Sequence, residues 1–319
     1  MNTSISSFAS NALLAPPPAM SVRARRREAA MLLGVSEPVA QQFGDTGLIE
    51  VQGKSVTLHP LHGEAVGPWI ATAQVARPAT VDEAGWCDAM LLANTQTMLL
   101  THAAFCLAEE GDAVLAMRIP PDHNDPRFLC ANLDGLVSMC NALSDGAASR
   151  AASGIDAATV LTDKPHGIEQ STNEDSELEA PAEVVELIRG AALHLGASPE
   201  QAVEAARTGS LEFAGQRVGI VCDPDDEGLV LAVDLGDKFL DGAERCRTAL
   251  AASLELILHA GAAVGRTPQR CQLMARRALQ GQSAASLAVW LRGVAELAAA
   301  MRVRHSEALV ASAAGTSSH

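Results

Sequence analysis

Residues 29–56 and 191–218 align without a gap at an offset of 162 positions, and eleven of the 28 pairs are identical. The shared pattern is L-G-x-S, nine variable residues, then T-G-x-x-E-x-x-G-x-x-V. It is carried by Leu33/Leu195, Gly34/Gly196, Ser36/Ser198, Thr46/Thr208, Gly47/Gly209, Glu50/Glu212, Gly53/Gly215 and Val56/Val218. A repeat constrains the fold more than composition does, because each copy has to build the same supersecondary unit. The pattern is physically legible. Gly34 and Gly196 are suited to the position just past a helix end. Ser36 and Ser198 can cap a second short helix, and Ser198-Pro199-Glu200-Gln201 has proline at the first helical position and glutamine at the capping-box position. Thr-Gly closes that helix, and two short strands follow around a turn at Gly53 or Gly215.

Extending the reading along the first copy, helices are expected at 24–33 and 37–45 and strands at 48–52, 55–60 and 69–77. A long helix then covers 82–101, and strands at 103–109 and 112–119 flank Glu110-Gly111. Leu129, Leu133, Leu136, Cys140 and Leu143 form one stripe of a closing helix over 126–143. The second copy runs in the same order: a helix at 182–195, strands at 210–214, 217–222 and 229–235, a long helix at 241–259, a strand pair within 260–279 and a closing helix at 283–303. The expected class is α+β: two tandem α-β-β-β-α-β-β-α domains, each a twisted antiparallel sheet covered by helices.

Residues 144–181 hold eight acidic and two basic residues without apolar periodicity. The expected division is therefore a disordered arm (1–22), domain 1 (23–143), a flexible acidic linker (144–181), a divergent domain 2 (182–305) and a disordered tail (306–319). The four arginines between Arg23 and Arg27 read as a solvated helix start, with contact to an acidic partner as the other reading. With a net charge of −15 and 3% aromatic residues, the chain repels phosphate backbones and lacks stacking platforms, so nucleic acid is not an expected partner. No stretch reads as a membrane span; the most apolar, 249–264, carries Glu255 and His259. Seven cysteines with no C-x-x-C spacing fit free thiols in a reducing cytoplasm.

The chemistry-bearing motifs are weak. His59-Pro60-Leu61-His62 reads as a loop pair, Asp122-His123-Asn124-Asp125 as a helix cap, and Asp223 to Gly228 as a hairpin turn without EF-hand spacing. Neither G-x-S-x-G nor a glycine-rich phosphate loop occurs. No catalytic, cofactor-binding or metal-binding residue is assigned, and no enzyme is expected. Trp69, Trp86 and Trp290 are expected in the core or at an interface.

One stretch resembles a known family. Leu91-Leu92-Ala93-Asn94 on a helix is followed by Ala103–Ala108, the acidic turn Glu109-Glu110-Gly111-Asp112, a strand ending at Arg118-Ile119-Pro120, and a leucine-rich helix. This progression resembles the class I chaperones of bacterial type III secretion, the Tir-chaperone family, over most of 28–143. The second copy diverges: Ala252 or Ser253 stands near the Asn94 position and Arg266-Thr267-Pro268 near the acidic turn. The resemblance implies a bacterial cytoplasmic chaperone or export adaptor. It would bind extended N-terminal segments of secreted effectors and engage the secretion ATPase, as a pseudo-dimer within one chain or as a homodimer. A regulatory or structural module of the same fold without an export client remains the alternative. By resemblance, Met31, Leu32, Leu33, Leu48, Val51, Val56, Leu58, Ile70 and Val75 are the client-binding candidates. Glu37, Asp45 and Glu50 are candidates to meet basic residues of the client. Trp86, Met90, Leu91, Leu92, Leu250, Leu254, Ile257 and Leu258 are the candidates for a domain or dimer interface.

Overall fold

The computed structural model describes residues 20–61, 67–153, 178–222, 228–236, 239–268 and 270–316. The first half begins with two helices, α1 (Val22–Leu32) and α2 (Glu37–Thr46). The strands β1 (Leu48–Val51), β2 (Lys54–Pro60) and β3 (Trp69–Gln74) follow, then α3 (Glu83–Leu100), β4 (Ala103–Leu107), β5 (Ala113–Ile119) and α4 (Pro126–Ser153). The second half runs α5 (Ala182–His194), α6 (Pro199–Thr208), β6 (Ser210–Phe213), β7 (Gln216–Cys222) and β8 (Gly228–Asp234). It closes with α7 (Ala243–Ala260), β9 (Ala262–Arg266), β10 (Cys271–Ala278) and α8 (Ala284–Thr316). The fold is α+β. Its two five-stranded antiparallel sheets have the same strand order, β1-β2-β3-β5-β4 and β6-β7-β8-β10-β9.

The repeated residues sit where the backbone demands them. Gly47 and Gly209 end α2 and α6 in the left-handed region (φ +72° and +66°), and an added Cβ would stand 2.7 Å from the Leu58 carbonyl oxygen or 2.4 Å from that of Ile220. Only glycine satisfies both conditions, so the repeated placement of Gly47 and Gly209 is geometric. Gln52-Gly53 and Ala214-Gly215 both have positive φ at the two central positions of their hairpins, the type I′ pattern that suits twisted strands. Ser198 and Gln201 form the full capping box; Ser36 makes no such bond.

Three expected boundaries move. α4 continues through Ser153, because Ala147 prolongs the buried stripe of Leu133, Leu136, Cys140 and Leu143; Ser144 Oγ also donates to the Ala76 carbonyl at 3.2 Å. Residues 144–153 are therefore helix, not linker. At its other end Leu178 packs on the core and its N–H donates to the Arg207 carbonyl at 2.7 Å. α8 continues to Thr316 instead of ending near 305, in line with the alanine-rich sequence there. α1 starts at Val22, with Ser21 Oγ accepting from the Ala24 N–H. Residues 1–19 of the expected arm, 154–177 of the expected linker, His62, the Asp223–Glu227 turn and residues 317–319 lie outside the described residues. α8 is long and apolar enough to cross a membrane, but Leu287, Leu291, Val294 and Ala298 of its apolar face are buried in the protein.

The seven thiols are free. Burial pushes Cys87 up to about 11 and Cys140 up to about 12, and raises Cys106 and Cys271 further. An unfolded thiol ionises near pH 8.5 whereas these stay protonated, so their linked stability is present below that pH and is lost as pH rises through the folded values. Iodoacetamide at pH 8 should modify the half-buried Cys130 and Cys222 first. Cys106, Cys140 and Cys271 should react only after denaturation; mass spectrometry finding Cys140 labelled as fast as Cys130 in folded protein would contradict this core.

Candidate functional site

The described residues hold two surfaces of interest, an apolar patch at the start of each half and a seam where the halves meet. On α1, Met31 and Leu32 are 43% and 50% exposed, and Leu48 at the start of β1 is 48% exposed. Val39 on α2 is exposed as well. α1 packs along α2, and α2 passes into β1 through Gly47. Among the described residues β1 pairs only with β2, so its outer edge is open. In the second half Leu193 occupies the repeat position of Met31 and is likewise exposed, with Val203 on the neighbouring α6. Such side chains cost hydration free energy unless something covers them.

The other candidates divide by strand alternation. Val51, Val56, Leu58 and Val75 point into the main core and are buried, so they cannot form an open client groove. Leu33 is half-buried against the same core. Ile70 is buried on the opposite sheet face, where it clusters with Met98, Ala104, Cys106 and Ala116 and with Val230, Ile257, Ala263 and Met274 of the second half. That cluster is the apolar centre of the seam. Leu254 and Leu258 pack against it, while Trp86, Met90, Leu91 and Leu250 lie in the main core that runs through both halves. Leu92 differs from this expectation: it lines a groove between α3 and α4.

The seam is polar as well as apolar. α3 packs on β9, and α7 packs on β4. Asn94 is fully buried and acts as a surrogate strand. Its Oδ1 accepts from the Phe105 N–H at 2.6 Å, and its Nδ2 donates to the carbonyls of Phe105 (3.0 Å) and of Val264 across the seam (2.9 Å). Ser253 is the partial counterpart in the second half: it also stands eleven residues before its partner, and its Oγ accepts from the Val264 N–H at 3.0 Å. Thr95 Oγ1 donates to the Arg266 carbonyl at 2.9 Å. Gly265 permits that approach, since a Cβ there would stand 2.8 Å from Thr95 Oγ1. Arg266 itself pairs with Asp88, and Arg247 with Glu83 at 2.6 Å. The sequence singled out Asn94 but gave no sign that it reaches the other half.

Arg26 departs from the expected solvated helix start. It is buried over the Trp69 ring, 5.8 Å from its centroid, and its Nη2 lies 2.8 Å from His59 Nδ1. His59 thus sits on β2 and not in a loop; burial first, and the Arg26 charge second, hold its pKa down, which suits an acceptor nitrogen. Arg23 and Arg27 stay at the surface, paired with Asp45 and Glu37, while Arg25 is half-buried. Two of the carboxylates expected to meet a client are therefore engaged, and Glu50 alone of the three has no ion-pair partner among the described residues. Asp125 caps α4, its Oδ1 accepting from the N–H groups of Arg127 and Phe128. Trp69 and Trp86 are core residues, and Trp290 is half-buried beneath Arg277.

Comparison with protein-family models, curated proteins and solved structures returns no match for this chain.

Proposed function

We propose that the chain is a chaperone or export adaptor of the type III secretion class, formed by two tandem chaperone-like domains that act as a pseudo-dimer. On this reading it works in the bacterial cytoplasm, holds extended N-terminal segments of secreted effectors, and presents them to the secretion ATPase. The observation that carries the reading is the exposure of Met31, Leu32 and Leu48 beside the open edge of β1, with Leu193 repeating the Met31 position. An extended client could add a strand to that edge and bury apolar side chains against α1. The shared strand order and the mutual packing of α3 on β9 and α7 on β4 support the tandem, pseudo-dimeric description.

Replacing Met31 and Leu32 together by aspartate should weaken binding of an effector's N-terminal segment by at least about 100-fold. Both side chains are exposed, so circular dichroism of the double variant should match the parent. Isothermal titration of a folded double variant with unchanged affinity would remove α1 from the client site. Failure of every effector segment of the native host to bind the parent protein would remove the export reading itself.

A further inference from the structure

A groove of about 690 Å³ lies between α3 and α4 in the first half. Leu92 and Leu100 line it from α3, and Phe128, Met139 and Leu143 from α4; Arg150, at one end of its α4 wall, is its one permanently charged lining residue. We propose that this groove is the docking site of the chain's own N-terminal segment, through Ile5, Phe8, Leu13 and Leu14. The proposal stands apart from the export reading, because it concerns an intramolecular contact.

Three observations carry it. The first is where the described chain begins. The Arg25 guanidinium donates through Nε to the Met20 carbonyl at 3.2 Å and through Nη1 to the Asn124 carbonyl at 2.8 Å and to Asn124 Oδ1. Asn124 adjoins His123, whose ring stacks on Phe128 at 4.8 Å, and both rings line the groove. The chain therefore enters α1 beside one end of the groove.

The second observation is length. Pro16-Pro17-Pro18 can span about 10 Å in the polyproline conformation. The α4 wall from Phe128 to Arg150 is about 33 Å long at helical rise. Residues 5–14 occupy about 15 Å as helix or about 33 Å extended, so they fit the groove either way.

The third is chemistry. Residues 1–22 carry no charged side chain, in a chain of net charge −15. An uncharged segment with apolar anchors at positions 5, 8 and 13 matches an apolar groove better than the acidic segments of the same chain do. Burial would be mutual, because Phe128 and Leu100 are exposed apolar residues at the groove.

Hydrogen exchange of the full chain tests this. Amides of residues 5–14 should exchange at least about tenfold more slowly than an unstructured peptide. Gly135→Leu should abolish that protection, since an added Cβ at Gly135 meets open space and the longer side chain fills the groove. Phe8→Asp should abolish it too, from the side of the ligand. In both variants the amides of α3 and the sheets should stay protected. Free exchange of residues 5–14 in the parent would overturn the proposal, as would protection that survives Phe8→Asp. A parent dimer that Gly135→Leu converts to monomer, with residues 5–14 exchanging freely in both, would overturn it in favour of a second copy in the groove.

Discussion

Asn94→Leu should lower the melting temperature by about 10 °C, the largest effect expected of any polar substitution in the chain. The leucine keeps the branched shape and heavy-atom count of asparagine, with larger methyl groups, but supplies no donor or acceptor. It leaves the Phe105 N–H, the Phe105 carbonyl and one bond to the Val264 carbonyl unmade, all in the buried seam. Each orphaned buried group costs roughly 1–3 kcal/mol, and the three are coupled, so the total should fall near 3–5 kcal/mol. Ser253→Ala removes only the bond to the Val264 N–H and should cost roughly 1–3 kcal/mol. Because both side chains bond to Val264, the double variant should depart from additivity. Urea denaturation of the four proteins gives the cycle. A single Asn94→Leu variant within about 2 °C of the parent would show that the Asn94 hydrogen bonds add nothing net to the seam.

That prediction could not have been framed from the sequence. The segment order, most element ends to within a few residues and the two Gly-centred hairpins were legible, because the repeat doubles every signal and the constraints are local. Positive φ at Gly47 and Gly209, the cap at Ser198 and the stripe from Leu129 to Leu143 all follow from a residue and its near neighbours. What escaped is non-local. Strand alternation halves the candidate surface, but only the packing decides which half: Val51, Val56 and Leu58 face the core, while Ile70 faces the other half of the chain. Arg26 carries the same charge as its three neighbours, and nothing in its immediate sequence distinguishes the one that stacks on Trp69. The divergent second copy concealed the Asn94 contact for the same reason. Ser253 and Val264 are unremarkable residues until α3 is laid across β9.

Two adjacent positions on α4 should respond to mutation with opposite sign. Leu136 is fully buried on the stripe that closes the first half, so Leu136→Ala deletes apolar contacts and leaves a cavity. The expected cost is roughly 2–5 kcal/mol, with the spread set by how far the surrounding side chains can collapse. Gly135, one residue earlier and 100° around the helix, lines the groove, and an added Cβ there touches nothing within 4 Å. Its glycine serves no backbone need, since it lies inside a helix without positive φ. Gly135→Ala should therefore stabilise the protein by about 0.5–1 kcal/mol through the lower entropy of the unfolded chain. The pair separates the two faces of α4 in one thermal-unfolding experiment. If Leu136→Ala left the melting temperature unchanged, the leucine stripe would be exposed in solution and would join Met31 and Leu32 among the proposed client-binding residues. If Gly135→Ala destabilised the protein by more than about 1 kcal/mol, a neighbour packed directly against that glycine would have to fill the groove.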